Sequence, residues 1–285
     1  MLRVWEYDYV RLRFHPPKSL AWAFRRVGPV YQVRGVGKFM DLEIRPRWGW
    51  GLLERMLRSV LRVLPGEGGI EGIPEAVANR FKEAVEDYAK SRIGYRYDMN
   101  YEGRGRLLPH LYDPTRPLNL PALGERIGRP RELLWLYALL RRLGYDVPEY
   151  EEPPPGAFRL KFMEEPREVV WKLAYLLDAG MFGAGDRGFL INTPYIYEEY
   201  VGSLFGGRRP GRSEWGIRPD FIVGDGIPLD AKYKTSVARA DIYQAFTYAT
   251  LLGSRRAMLV YPRIRSESVR LGDVRVDILS LLPVE

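Results

Sequence analysis

A chain of 285 residues, 46% hydrophobic and 28% charged, belongs to a folded globular protein long enough for two ordinary domains. It has no cysteine, which excludes disulfides, thiolate nucleophiles, zinc knuckles and iron–sulfur clusters, and its two histidines, His15 and His110, stand in unrelated contexts that offer neither a histidine-rich metal site nor a Ser-His-Asp triad. The formal net charge of +8 suits a polyanionic partner such as nucleic acid or an acidic protein face, or equally a basic surface with no particular ligand. With no run near ~18 apolar residues and no apolar h-region at the start, the expectation is a cytoplasmic protein without a membrane partner.

In chain order, apolar and polar residues alternate in Leu2–Phe14, Val30–Val36 and Phe39–Ile44, a pattern that predicts a small antiparallel sheet. Helices are predicted over Trp48–Leu64 and Pro74–Lys90, the second with Val77, Phe81, Ala84, Val85 and Tyr88 on one buried face. A strand-like stretch at Ile93–Leu108 precedes the proline-rich Pro109–Pro121, and a further helix covers Arg131–Leu143. The run Glu151-Glu152-Pro153-Pro154-Pro155-Gly156 continues neither helix nor central strand and marks a boundary between domains at 1–152 and 153–285. Beyond it come a helix at Pro166–Ala179, a short strand at Phe189–Asn192 and a helix at Pro194–Phe205. Strands at Asp220–Val223 and Ile227–Tyr233, a helix at Ala240–Leu252, and strands at Arg256–Tyr261 and Val274–Leu281 complete the order. The fold class is α/β of the α+β kind, with a smaller α+β N-terminal domain followed by a mixed sheet flanked by helices.

The chemistry concentrates in Arg218–Lys234. Its Gly224-Asp225-Gly226 centre predicts a hairpin turn, and symmetry about Asp225 places Asp220 opposite Asp230, with Cβ atoms ~4.5–5.5 Å apart. Two like charges at that separation repel, whereas a hard divalent cation between them removes the conflict, which suits Mg2+. Strand alternation puts Lys232 on the face of Asp230, beside such a cation, and Leu229, Ala231 and Tyr233 on the core face. Proline at Pro228 makes the start of this strand irregular, so the register could slip. Upstream, the helix carrying Ile196-Tyr197-Glu198-Glu199-Tyr200-Val201 has an apolar stripe of Ile196, Tyr197, Tyr200 and Leu204, and Glu198 can project as a third carboxylate or stay a solvated surface residue. Downstream, Asp241 suits a helix N-terminus, and Gln244 and Tyr248 share one face; they either support Lys232 and phosphate or are an ordinary surface residue and a core tyrosine.

A helical Glu, then Pro-Asp, then Asp-Ala-Lys, then Gln-x-x-x-Tyr resembles the motif order of PD-(D/E)xK nucleases of the RecB-like type. More narrowly, the chain is similar to the McrC family, the nuclease subunits of McrBC modification-dependent restriction systems. Ile196–Val201 matches that family's Leu-Phe-Glu-x-Phe-Val-like helix, Asp241–Gln244 its Asp-x-Tyr-Gln helix, and Gly188–Asn192 the run before them. The likeness covers roughly residues 165–262. It implies a restriction-endonuclease-like sheet in which Glu198, Asp220 and Asp230 hold Mg2+ (with Mn2+ as substitute), Lys232 is essential, and Gln244 and Tyr248 support the catalytic set. Glu199 is the rival to Glu198. The resemblance also implies a partner, a McrB-like AAA+ ring that binds GTP and recognises modified DNA, with DNA cleaved by this chain in antiviral defence.

The GTP site is not expected here, because Gly35-Val36-Gly37-Lys38-Phe39 lacks the first Gly and the Ser/Thr of a phosphate-binding loop. Gly183-Ala184-Gly185-Asp186-Arg187-Gly188 has the spacing of a dinucleotide fingerprint but follows a helix and precedes a strand, which makes it a turn. Arg208, Arg209, Arg212 and Arg218 either contact phosphates or decorate a loop. The alternatives to a McrBC-like subunit are a stand-alone repair or junction-cleaving nuclease and, from another class, a non-catalytic nucleic-acid-binding or ring-capping module.

Overall fold

The computed structural model describes residues 1–16, 20–64, 71–91, 94–100, 106–107, 122–128, 131–147, 169–177, 188–211 and 218–283. The boundary expected at Glu151–Gly156, the proline-rich Pro109–Pro121, the turn at Gly183–Arg187, and Arg212 lie outside the described residues. The chain divides into two compact units, Met1–Val77 with Glu165–Glu285, and Ala78–Glu164. The first unit thus draws on both sides of position 152.

The alternation in Leu2–Phe14 yields two strands, not one: β1 (Leu2–Trp5) and β2 (Tyr9–Val10). Between them Tyr7 takes a left-handed φ of 69°, which turns the chain out of one sheet and into another. Strands β3 (Phe24–Val27) and β4 (Val30–Val33) pair with β2 in the order β2-β4-β3, while β5 (Val36–Phe39) and β6 (Leu42–Arg45) form a second sheet with β1. In that second sheet β1 runs parallel to β6, with Val4 opposite Ile44, so the expected antiparallel sheet is in part parallel. A core of Val4, Val10, Phe24, Val33, Phe39, Leu42, Ile44 and Leu190 packs the two sheets together.

The helix expected at Trp48–Leu64 is α1 (Trp50–Met56), prolonged by one π-helical turn over Leu57–Leu61 and ended by Arg62 in the left-handed region. After α2 (Ile73–Ser91) the second unit contains a three-stranded sheet of β7 (Gly94–Asn100), β8 (Arg106–Leu107) and β9 (Ala122–Gly128), ordered β7-β9-β8, and α3 (Arg131–Arg142). The chain returns to the first unit in α4 (Val169–Leu176) and β10 (Gly188–Ile191). Strand β10 adds antiparallel to β5, with Gly37 opposite Leu190, and leads directly into α5 (Thr193–Leu204).

The last third builds a five-stranded mixed sheet from β11 (Phe221–Val223), β12 (Ile227–Ala231), β13 (Arg256–Tyr261), β14 (Glu267–Leu271) and β15 (Val274–Ser280), in the order β11-β12-β13-β15-β14. Strands β12, β13 and β15 are parallel, and the two outer pairs are antiparallel. The crossover from β12 to β13 is α6 (Arg239–Leu251), whose Ala245 and Ala249 lie against Ala257, Leu259, Tyr261, Val276 and Ile278. Mixed sheets flanked by helices make the chain an α+β protein, as expected from the order of elements. No helix among the described residues is long and apolar enough to cross a membrane.

The junction of β5 with β10 depends on Gly37, which has a φ of 148° and whose added Cβ would stand 2.3 Å from the Phe189 carbonyl oxygen. Gly37→Ala is therefore expected to cost about 1–3 kcal/mol of unfolding free energy. Gly51→Ala, in a helix with nothing within 4 Å of the added methyl, should gain about 0.5–1 kcal/mol instead. Denaturant midpoints of the two variants check both signs.

Candidate active site

The hairpin forms about Gly224 and Gly226, both at positive φ, and its register pairs Phe221 with Leu229, Ile222 with Pro228 and Val223 with Ile227. Pro228 does not shift that register, and its buried ring accompanies Leu229 and Asp230. Asp220 precedes the paired segment, and its Oδ2 accepts the Ala231 N–H at 2.8 Å, which brings its carboxylate to the end of β12 beside Asp230. Asp230 is buried, and its Oδ2 faces the Lys232 ammonium in an ion pair without a well-aligned hydrogen bond. The backbone N–H of Lys232 donates to the Val260 carbonyl at 2.8 Å, which extends the pairing with β13 and fixes where its side chain leaves the sheet.

Helix α5 supplies the third carboxylate. Asn192 caps it by accepting the Tyr195 N–H at 3.2 Å, and Pro194 occupies its first turn. Its buried side is Ile196, Tyr197, Glu199, Val201 and Gly202; Leu204, expected in the stripe, is exposed because the helix turns its last residue outward. Gly202 lets α5 approach the sheet, since a Cβ there would lie 2.3 Å from the Phe221 ring.

Glu198 and Glu199 have different surroundings. Glu199 is buried between Lys172 on α4, at 2.8 Å, and Arg209. Glu198 retains more solvent and turns towards the aspartates, with Arg209 Nη1 2.8 Å away as its cation. Burial, followed by the nearby charges of Glu199 and Asp230, raises the Glu198 pKa against the pull of Arg209. Asp220 lies well above the carboxylate range for the same main reason, burial, reinforced by Glu198 and Asp230 and only partly offset by the Ala231 N–H. These shifts place Glu198, Asp220 and Asp230 within one another's fields.

On the opposite side, Lys232 Nζ donates to Gln244 Oε1 at 2.9 Å, and Gln244 Nε2 donates to Tyr248 Oη at 2.7 Å. Burial disfavours the Lys232 ammonium, but Asp230 and then Asp220 and Asp241 outweigh it and raise its pKa, so the amine stays charged. Tyr248 is buried on α6 and its pKa is raised by burial and by Asp230. All six residues singled out from the sequence, Glu198, Asp220, Asp230, Lys232, Gln244 and Tyr248, are thereby linked in one neighbourhood.

Other groups carried no local signal in the sequence. Arg209 does not point outward to phosphate: it spans Glu198 and Glu199, and its guanidinium lies 4.8 Å from the centre of the Phe221 ring. Lys234 holds the buried Asp241 at 2.6 Å, and Asp241 also accepts from Tyr261 Oη at 2.9 Å and from the Ala238 N–H, which anchors the start of α6. Behind the site, Glu6 is fully buried and accepts from Thr193 Oγ1, from Tyr233 Oη at 2.9 Å and from the Arg47 N–H at 3.2 Å. Burial pushes its pKa up to about 7 against those donors. The Tyr233 ring lies 4.3 Å from that of Trp48 and 5.0 Å from that of Tyr197, centre to centre.

Among the described residues, no three acidic or histidine side chains are grouped as ready metal ligands, Glu198 being drawn to Arg209 and Asp230 to Lys232. The donor chemistry nonetheless fits a hard divalent cation. The oxygens are all carboxylate, and two of the three groups resist ionising together. By contrast Asp277, on β15, is fully engaged by Arg256 at 2.8 Å, Arg275 at 2.6 Å and Ser268 at 2.8 Å, and has no capacity left for a ligand.

No family model and no curated protein matches the chain. Among solved structures, it aligns with a chain of the Thermococcus gammatolerans assembly of McrB AAA+ hexamers with bound McrC, at 13% identity and a TM-score of 0.46, covering 99% of this chain and 94% of that one.

Removing one of the mutually repelling carboxylates should stabilise the fold at the expense of the site. In buffer containing a chelator at neutral pH, Asp220→Asn is expected to raise the unfolding free energy, because it removes a carboxyl that burial keeps from ionising while the amide oxygen still accepts the Ala231 N–H. A raised carboxyl contributes stability that is complete below its unfolded pKa and is lost as pH rises through the folded one. The gap between variant and parent should therefore close as pH falls below about 4, near the unfolded aspartate pKa. Chemical unfolding at pH 7 and pH 3.5 measures it.

Proposed function

We propose that this chain is the Mg2+-dependent DNA endonuclease subunit of a McrBC-like restriction complex and hydrolyses phosphodiester bonds. The observation that carries the reading is the convergence of Glu198, Asp220 and Asp230 with an ammonium, Lys232, that is itself held by Gln244. An enclosed group of three like charges is costly in a pure scaffold and is what a cation-assisted phosphate reaction requires.

Glu198, Asp220 and Asp230 would hold Mg2+, or Mn2+ in its place, which supplies charge to polarise a phosphate and to lower the pKa of attacking water. The chain's own contribution is to orient and to stabilise. Asp230 keeps Lys232 protonated, and Gln244, fixed by Tyr248, holds Nζ at the rim, where a positive charge opposes the negative charge that develops on a phosphate oxygen. Lys172 and Arg209 on Glu199 lock α5 so that Glu198, one residue earlier, keeps its bearing towards the aspartates. Arg209 on Glu198 restrains that carboxylate until a stronger cation competes for it.

The net charge of +8 supports a DNA substrate, and the motif order supports a McrB-like AAA+ ring as partner, with GTP bound by the ring and residues 1–152 offering its docking surface in a cytoplasmic complex. The test is cleavage of modified and unmodified DNA with Mg2+, with and without GTP and a McrB-like AAA+ ring. Lys232→Ala is expected to lower the rate about 10²–10³-fold, the usual worth of one stabilising charge, with unchanged partner binding and a lowered unfolding midpoint, since buried Asp230 loses its cation. Full cleavage by Asp230→Ala in the complex would overturn the reading. Cleavage without any ring would favour a stand-alone nuclease.

A further inference from the structure

The site's three carboxylates and its lysine are carried on two elements, α5 and the hairpin that ends in β12, which approach each other from different parts of the first unit. Glu6 belongs to neither element. It sits in the turn between β1 and β2, its side chain is fully buried, and it bonds to both. Thr193 Oγ1, which donates to Glu6 Oε1, is on the first residue of α5, five residues and ~7.5 Å of helix axis before Glu198. Tyr233 Oη, which donates to Glu6 Oε2 at 2.9 Å, is on the residue next to Lys232.

The groups facing Glu6 are donors. Besides Thr193 and Tyr233 they are the Arg47 N–H, at 3.2 Å, and a backbone group of Gly35. The Arg47 guanidinium is directed elsewhere, to the Glu6 carbonyl at 3.3 Å and to Asp8 at 3.0 Å. Tyr7 completes the surroundings: its Oη donates to the Tyr233 carbonyl, and Arg34 lies 5.9 Å from its ring centre. A carboxylate enclosed by neutral donors and given no cation of its own is an orienting group, because each donor is drawn to one fixed acceptor. The same constellation pins Tyr233 from three directions, through its hydroxyl, its carbonyl and its ring against Trp48.

We propose that Glu6 is a positioning residue for the active site, a buried clamp that sets the distance between the helix bearing Glu198 and the strand end bearing Lys232. The inference rests on the nuclease reading for its purpose, but the clamp itself has a readout that needs neither metal nor DNA. Lys232 Nζ is held by Asp230 and Gln244 with little exposure, so its reactivity towards an acylating reagent reports whether the strand end is in place.

The experiment compares the full chain with Glu6→Gln, Tyr233→Phe and Thr193→Val, and with Val276→Ala, a core truncation in β15 that serves as the stability control. Labelling of Lys232 relative to Lys38 is followed by peptide mass spectrometry, and Mn2+ binding by calorimetry. Each of the three clamp variants is expected to label Lys232 severalfold faster and to bind Mn2+ about 10–100-fold more weakly, whereas Val276→Ala changes neither. Should Glu6→Gln fail to fold, Tyr233→Phe and Thr193→Val decide, since each removes one donor and leaves the carboxylate in place. Unchanged Lys232 labelling in those variants, or an equal change in Val276→Ala, overturns the clamp. Absence of Mn2+ binding by the parent chain, with labelling altered as expected, overturns the metal-site reading and leaves the clamp standing.

Discussion

The structure of the first unit is organised around a single electrostatic conflict: Glu198, Asp220 and Asp230 are brought together under cover, where burial and then the neighbouring carboxylates raise the proton affinity of Glu198 and Asp220. Buried like charges need either protons or cations, and the fold provides for both. Lys232 answers Asp230, Arg209 answers Glu198, and the Ala231 N–H answers Asp220. None of these removes the conflict entirely, because Glu198 and Asp220 keep raised pKa values beside them.

Around it, three other buried carboxylates have closed sets of partners. Glu199 has Lys172 and Arg209, Asp241 has Lys234 and Tyr261, and Asp277 has two arginines and a serine. Such satisfied sets hold helices and strand ends in place, and they do so without competing for a ligand. Arg209 belongs to both worlds, because one guanidinium spans the structural Glu199 and the exposed-side Glu198 while stacking on Phe221.

Local pattern accounts for what could be read without coordinates. The register of β11 against β12 follows from Gly224-Asp225-Gly226, because a tight turn leaves a hairpin little choice, and the alternation after it fixes Lys232 on the face of Asp230. The helical spacing of Gln244 and Tyr248 likewise puts both on one face, where the structure joins them by a hydrogen bond. What remained hidden is set by partners distant in sequence. Nothing near Glu198 and Glu199 says which points inward, since Lys172 and Arg209 decide it. Glu6 looks like one more polar residue in an alternating stretch, although its partners are Thr193 and Tyr233. The left-handed Tyr7, which splits Leu2–Phe14 between two sheets, and the polar edge strand β14 leave no periodic trace either.

The pairing of β5 with β10 also has a consequence for how the protein is made. Strand β5 is finished by residue 39, but the neighbour that completes its sheet arrives only with residues 188–191. Until the ribosome has delivered that segment, β5 presents an open edge of unpaired amides, and the buried cluster has neither its helix nor its backing. A nascent chain of this kind reaches its folded first unit late, through contacts of long sequence separation. Late completion means that no fragment released early in synthesis contains the finished cluster of Glu198, Asp220 and Asp230.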